Sequence, residues 1–582
     1  MAPEVTARRS NGRAEPLAAP VRAPVADVDP ANDVGLDGLV IQAADGNRRF
    51  VPGGETVRLV TALARRPRTV ARRGARLGAE LAAIAAGRSD QRPQRADRRF
   101  ADPAWRGNWL LRRLLQGYLA LGATAQQLID DAELDWGSEH RVRFLAENLH
   151  DALAPTNFPL TNPAALKATI DRGGANFVAG GAQFLRDMRS PAKIPANVDT
   201  APFKVGETLA TTPGAVVLRE PQFELLQFQP ATDQVRREPL VIVPPMISKY
   251  YVVDLSPGRS LVEYLVAQGQ QVFSISWRNP GPDHGDWDLD SYVEAILAGL
   301  AAARQVTGAG RAHVLGLCAG GVATACTLGR LAALGDLDEV AGLTLSVTVL
   351  DTERSGTIGS FVSPDTAAAA VARVRRAGYL DRNELARTFA WLRPNDMIWS
   401  YWVNNYLLGQ KPPAFDLLYW NADAMDMPAG LHGDFVEIGV QNPLVRPGDR
   451  TVLGSPIDLS RIDVDAYIVG GQTDHLTPWP NCYKTTRLLA GGHRFVLSTG
   501  GHIAAVINPP GNPKATYRIN DEMPPDADAW LAGAETRAGS WWEDWDRWLA
   551  ERSGPIMAAP KRLGSRVHAP LGPAPGTYVL NA

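Results

Sequence analysis

Apolar positions change their period along the chain, and each change marks a different kind of structure. Before about residue 60 they keep no stable period, and Ala, Pro, Asp and Arg dominate, which predicts a disordered segment. From Phe100 they recur at three- and four-residue spacing. That spacing predicts helices beginning at Trp109 and over Tyr118–Asp131 and Arg141–Leu153. Asn157–Pro163 reads as a Pro-bounded loop, and one further helix is expected over Ala164–Met188. These helices are expected to pack as a small domain. Residues 189–215, with Pro and Thr, read as a linker.

From Gly214 the period becomes two. Ala215–Leu218 and Phe223–Phe228 alternate like a hairpin. Short apolar runs at Pro239–Val243, Gln271–Ser276, Ala312–Leu317 and Leu343–Leu350 read as buried strands. Helical patterns at Leu261–Ala267, Leu289–Gln305 and Val322–Ala333 separate them. Strands alternating with helices predict an α/β architecture with a mostly parallel, doubly wound sheet. The alternation stops after Asp351 and resumes with Ala466–Val469, Pro480–Leu489 and Phe495–Leu497. Such an interruption is an insertion over the active site, a cap at about 352–458. The expected division is a disordered, basic tail over 1–99, a small helical domain with linker over 100–213, and a catalytic domain over 214–582.

Charge narrows the partners. The formal net charge of −2 makes the whole molecule unsuited to electrostatic binding of nucleic acid. Residues 61–100 are the exception: eleven Arg (65, 66, 68, 72, 73, 76, 88, 92, 95, 98 and 99) stand against Glu80, Asp90 and Asp97, a net of 11 − 3 = +8. That run is either a solvated, partly helical tail or an attachment to an anionic surface. Three cysteines, Cys318, Cys326 and Cys482, exclude a disulfide scaffold and fit a reducing compartment. The first nine residues lead into no signal-peptide core. No stretch reaches the roughly 18 apolar residues of a membrane span. A protein kept inside the cell is expected.

The sharpest chemical signal is Gly316-Leu317-Cys318-Ala319-Gly320-Gly321, a nucleophile elbow of the form G-x-S-x-G with Cys in place of Ser. On a sharp strand-to-helix turn the nucleophile lies close to neighbouring backbone, and only small residues fit two before and two after it, hence Gly316 and Gly320. The turn puts Cys318 at a helix N-terminus, where the Ala319 N–H can stabilise an oxyanion and the dipole favours a thiolate. The plainer alternative is a buried cysteine in a tight turn. Cys326 and Cys482 are expected to be packing residues.

With this elbow an α/β-hydrolase fold is expected, in which acid and histidine follow the nucleophile in that order. Val469-Gly470-Gly471-Gln472-Thr473-Asp474 runs off a strand, and Val496-Leu497-Ser498-Thr499-Gly500-Gly501-His502 does so one unit later. His502 is then the base for Cys318, and Asp474 orients it. His475 is a rival base. The second oxyanion donor is expected on the loop Val243-Pro244-Pro245-Met246-Ile247, where the prolines lack N–H groups, leaving Met246 or Ile247. Cysteine tilts the chemistry toward acyl transfer, because thioester exchange is nearly isoenergetic and leaves the acyl group reactive. Residues 355–430 hold Phe361, Trp391, Trp399, Tyr401, Trp402, Tyr406, Phe415, Tyr419 and Trp420. They form either a subdomain core or a cap that excludes water.

From about Phe100 onward the sequence resembles the polyhydroxyalkanoate synthases. The resemblance rests on Asp102-Pro103-Ala104-Trp105, Ala154–Pro159, Pro244–Tyr251, Ser276–Pro280, Gly316–Gly321, Asn404–Gly409, Tyr419–Asn421, Gly500–Pro510 and Pro573–Tyr578. The family's catalytic Cys, Asp and His fall on Cys318, Asp474 and His502. It implies (R)-3-hydroxyacyl-CoA as substrate, polyester and CoA as products, and no cofactor or metal. It further implies a cytoplasmic homodimer on the growing polyester granule with granule-associated proteins. Ser248 and Ala422 depart from the family's usual polar residues. Trp391–Asp396 is similar to synthases of medium-length monomers, and Thr348 to those of short ones. Two other functions compete: a cysteine thioesterase or polyester hydrolase of the same fold, and a structural protein coating granules.

Overall fold

The computed structural model describes residues 54–95, 97–353 and 364–581. Its frame is an eleven-stranded sheet. In chain order the strands are β1 Gly214–Arg219, β2 Phe223–Phe228, β3 Leu240–Val243, β4 Val272–Trp277, β5 Ala312–Leu317 and β6 Val340–Ser346. They continue with β7 Ala466–Gly471, β8 His493–Ser498, β9 Thr516–Ile519, β10 Glu535–Ala538 and β11 Gly572–Pro573. Across the sheet the order is β10-β9-β8-β7-β6-β5-β3-β4-β2-β1-β11. The run from β4 through β3, β5, β6 and β7 to β8 is parallel throughout. Antiparallel strands close both edges.

Alternation along these strands divides the core in two. Val241 and Val243 face one cluster, with the helices Leu289–Thr307 and Ala319–Leu334. Leu240 and Ile242 face the other, with Leu261–Ala267 and Trp541–Ala550. Being covered on both faces, the central strands are apolar at nearly every position rather than at alternate ones. Trp541–Ala550 puts Trp541, Trp542, Trp545, Trp548 and Leu549 on one buried stripe, the helical i, i+1, i+4, i+7, i+8 pattern. The expected strand over Leu343–Leu350 stops at Ser346, because Val347 takes a φ of +46° that leaves the strand conformation.

Two N-terminal expectations are corrected. Gly54–Ala64 and Pro67–Ala85 are helices, so a disordered tail does not describe residues 54–85. The arginine run is not simply solvated there: Arg73 pairs with Asp131 at 2.6 Å, and Arg66 with Glu133 at 2.6 Å. Opposite charges on the neighbouring helix Trp109–Ala132 and the turn after it give those residues a docking surface that local composition does not reveal. Residues 1–53 and Phe361 lie outside the described residues. The single helix expected over 164–188 is two, Pro163–Asp171 and Ala175–Arg189. Gly173 and Gly174 separate them with positive φ, which glycine adopts at little cost.

The insertion between β6 and β7 carries the helices Pro364–Ala377, Arg382–Leu392, Asp416–Ala422 and Ala429–Gln441, with π-helical turns at Asn395–Trp399 and Trp402–Leu407. The helical domain grips the π-helical turns. Asn176 Nδ2 donates to Leu407 O at 2.8 Å, Tyr406 Oη to Asp187 at 2.7 Å, and Arg99 to Asn395 at 2.8 Å. Trp391, Trp399, Trp402 and Tyr406 run edge-on with centroids 6.5, 6.0 and 5.4 Å apart, and Phe184 joins the row. No helix among the described residues is long and apolar enough to cross a membrane.

Candidate active site

Cys318 is the single residue between β5 and the helix Ala319–Leu334, and its φ of 48° and ψ of −118° are strained for a side chain with a Cβ. Neighbouring strands and the helix hold that strain. Cys318 N donates to Ser346 O at 3.0 Å, and Cys318 O accepts from Gly321 N at 2.9 Å. A Cβ on Gly316 would lie 2.6 Å from Gly321 Cα, and one on Gly320 2.5 Å from both Val243 O and Pro244 O. Both glycines are therefore required by close approach. Gly320 also seats the elbow against the loop after β3. Gly321 is tight as well, since a Cβ there would be 2.1 Å from Thr348 Oγ1. Ala319 opens the helix, where N–H groups have no intrahelical acceptor.

Asp474 stands just past the carboxyl end of β7, and His502 opens the short helix His502–Val506 after β8. Functional groups of parallel sheets gather at this end of the strands. His502 Nδ1 and Asp474 Oδ2 are 2.7 Å apart, with both side chains fully buried. Asp474 Oδ1 accepts from Leu476 N at 2.9 Å and Thr477 N at 3.0 Å, while the Thr477 hydroxyl donates to Oδ2. Trp541 Nε1 and Trp542 Nε1 donate to Ala505 O and Val506 O at 2.6 and 3.0 Å, anchoring the helix that carries His502. Thr477 was not among the expected site residues. Its signal is an Asp with a Thr three residues on, the pattern of a side chain hydrogen-bonding its own turn.

The charges interlock. Burial acts to raise the Asp474 carboxyl, but the charge on His502 and hydrogen bonds from His502 and Thr477 hold it below the usual range. Burial acts to lower the His502 imidazole, yet the charge on Asp474, the charge on Cys318 and the hydrogen bonds it donates to both hold it well above the ordinary histidine value. With Nδ1 committed to Asp474, Nε2 is the nitrogen left for the thiol. His475 stands outside this chain of contacts. Burial and then the charge on Arg393 push its imidazole down to about 4, so it stays neutral at working pH. Burial pushes the Cys326 thiol up to about 12 and the Cys482 thiol well above its ordinary value, and the Cys482 thiol donates to Thr477 O. Both are buried packing groups.

The loop after β3 buries Met246 and Ile247 completely or nearly so. Trp277 Nε1 donates to Pro244 O at 2.9 Å, and Met425 N, from the insertion, to Ile247 O at 2.9 Å. The structure thus brings Cys318, Asp474 and His502 together, with the loop bearing Met246 and Ile247 packed against the elbow. Cys318 itself is only 5% exposed. Among the described residues no group of three or more His, Cys, Asp or Glu side chains is placed to hold a metal ion.

These shifts set a pH dependence. His502, raised on folding, contributes stability that is complete below about pH 6.5 and lost as pH rises through its folded value. Asp474, lowered, contributes stability above about pH 3.9 that is lost as pH falls through its folded value. Between the folded values of the two groups His502 holds its proton, and a thiolate at Cys318 is the expected partner for that charge. Alkylation of Cys318 by iodoacetamide is therefore expected to change little between about pH 6 and 8, whereas an ordinary thiol of pKa about 8.5 gains roughly tenfold per unit. His502→Ala should restore the ordinary slope. A tenfold rise per unit in the unmodified protein would rule the ion pair out.

Residues 96–265 match the family model described as poly-beta-hydroxybutyrate polymerase (PhaC) N-terminus, and residues 239–509 the alpha/beta hydrolase fold. The chain is 45% identical over 504 residues to poly(3-hydroxyalkanoate) polymerase 2 of Ectopseudomonas oleovorans, covering 87% of this chain and 90% of that one. It is 41% identical over 504 residues to the poly(3-hydroxyalkanoate) polymerase subunit PhaC of Cupriavidus necator, covering 85% of each. Among solved structures, a hydrolase from Pseudomonas aeruginosa PA01 aligns at 17% identity and a TM-score of 0.29, over 52% of this chain and 94% of that one.

Proposed function

The chain belongs to the poly(3-hydroxyalkanoate) polymerase family, acyltransferases on an α/β-hydrolase fold, and on that premise we propose that Cys318 carries the growing polyester as a thioester. The observation behind this reading is the buried Asp474–His502 pair, with Cys318 acting on the same imidazole. The Cys318 thiolate attacks the thioester carbonyl of a 3-hydroxyacyl-CoA. Ala319 N–H, with Met246 or Ile247 N–H, receives the oxyanion, and CoA leaves as the thiol with the proton from His502. Neutral His502 then takes the proton of the 3-hydroxyl of the next unit, which attacks the Cys318 thioester to form an ester bond. Burial of the site under the insertion keeps water from competing with the hydroxyl.

Attachment to the granule follows from the helical domain. Leu160, Ile170, Phe177, Val178 and Leu185 are exposed on it, three of them by more than three-quarters, and an apolar polyester surface suits such a face. One assay tests both statements. The enzyme is incubated with 3-hydroxyacyl-CoAs of several lengths while thiol release, insoluble polymer and sedimented enzyme are followed together. Thiol release should match polymer, and the enzyme should sediment with it even in about 1 M salt, where exposed charges are screened within roughly 3 Å. A chain beginning at residue 214 should stay in the supernatant. Soluble hydroxy acid instead of polymer would make the protein a hydrolase. Salt-released enzyme would return the attachment to the arginine run.

A further inference from the structure

Lys249, two residues beyond Ile247, is 4% exposed. A buried ammonium needs an acceptor for each of its three N–H donors. Lys249 Nζ donates to Val579 O at 2.6 Å and Asn581 O at 3.1 Å, and it pairs with Asp423 Oδ1 at 3.2 Å. Asp423 in turn accepts from Tyr251 Oη at 2.8 Å. Trp420 Nε1 donates to Lys249 O at 2.8 Å, and Ser248 bridges to Ala424. Three parts of the chain thus meet at one side chain: the loop after β3, residues 420–425 of the insertion, and the segment 577–581.

That segment is itself held by a second buried charge. Glu224, in β2, has no exposed surface. It accepts from Thr577 N at 2.8 Å, Tyr578 N at 3.0 Å and Thr577 Oγ1 at 2.9 Å. A Cβ on Gly576 would lie 2.2 Å from Glu224 Oε2, so the turn fits its anchor without slack. Upstream, β11 pairs with β1, and Ala574 N donates to Gly214 O at 2.9 Å. Residues 572–581 therefore run as a strap from the sheet edge at β1, over Glu224, to Lys249.

We propose that Lys249 is a positioning residue that holds the loop carrying Met246 and Ile247 in register with Cys318, and that the 572–581 strap holds Lys249. This rests on the reading of that loop as the source of an oxyanion donor. Without Val579 O and Asn581 O the ammonium is short of two acceptors. It must then reach for solvent, and the loop moves with it. Oxyanion stabilisation depends on donors placed to within a fraction of an ångström, so acylation suffers while substrate binding and the Cys318–His502 pair do not.

The test compares the full chain, Lys249→Met, Lys249→Arg and a chain ending at Thr577. Thiol release from 3-hydroxyacyl-CoA and iodoacetamide alkylation of Cys318 across pH are measured for each. Lys249→Met and the shortened chain are expected to lose about 10²-fold in kcat, with KM changed less than about threefold and the alkylation profile retained. Combining the two should cost little more than either alone, because both break the same hydrogen bonds from Lys249 to Val579 O and Asn581 O. Lys249→Arg keeps the charge and should recover at least about a tenth of the lost kcat, and the shortened chain carries the test if the Met form does not fold. A kcat within about threefold of the full chain in folded Lys249→Met or in the shortened chain, or losses that multiply, would overturn the positioning role. A Cys318→Ala protein that still polymerises would instead remove the reading on which it rests.

Discussion

Cys318→Ala is expected to abolish thiol release and polymer formation together, by about 10⁴-fold or more in kcat. No second sulfur can take over, because Cys326 and Cys482 are buried and their thiols pushed far above working pH. Nor should the fold suffer. Alanine meets the same backbone strain at φ 48° as cysteine, and the turn is held by main-chain hydrogen bonds that the side chain does not make. Cys318→Ser should separate chemistry from geometry. A serine ester lies below a thioester in energy, so one equivalent of CoA should leave slowly and the acyl group should then stall. Substantial polymer from Cys318→Ala, or steady turnover by Cys318→Ser, would refute a covalent thioester.

The second large effect belongs to the base. His502→Ala should lower acylation and elongation alike, by about 10³-fold or more, because one imidazole serves the thiol and then the incoming hydroxyl. Asp474→Asn should divide them. Leu476 N and Thr477 N donate to Oδ1 and would keep the amide oxygen there. The amide nitrogen would then face His502 Nδ1 and favour the tautomer with its proton on the wrong ring nitrogen. A thiol, intrinsically more acidic than an alcohol, tolerates a weakened base better. First acylation should fall by about tenfold and elongation by about 10²- to 10³-fold. Single-turnover thiol release, set against steady-state polymer formation, measures the two. Equal losses would exclude this division of labour.

How legible the molecule is depends on the distance over which each feature is encoded. The parallel strands show because each is a short apolar run next to a helical pattern. The elbow shows because its sterics are confined to Gly316–Gly320. The outer strands β9, β10 and β11 do not show. They are short and half-covered, with mixed polarity such as Glu535-Thr536-Arg537-Ala538, and only their partners make them strands. The helices over 54–85 were hidden by composition, because an arginine run looks solvated until Asp131 and Glu133 are placed beside it.

By itself the sequence determined the order of the parallel strands and their helices and the place of the insertion, and it pointed to Cys318, Asp474 and His502 as candidates, since each follows from local sterics or a repeating period. Only the tertiary structure shows which histidine the Asp474 carboxylate meets. His475 adjoins Asp474 in sequence, yet the Asp474 carboxylate turns to His502 and Thr477, and burial leaves His475 neutral. Only the tertiary structure brought the helical domain onto the insertion and Lys249 onto Val579, a residue 330 positions away. A buried charge finds its partners through the whole path of the chain, and neither composition nor periodicity records which distant carbonyl will meet a given ammonium.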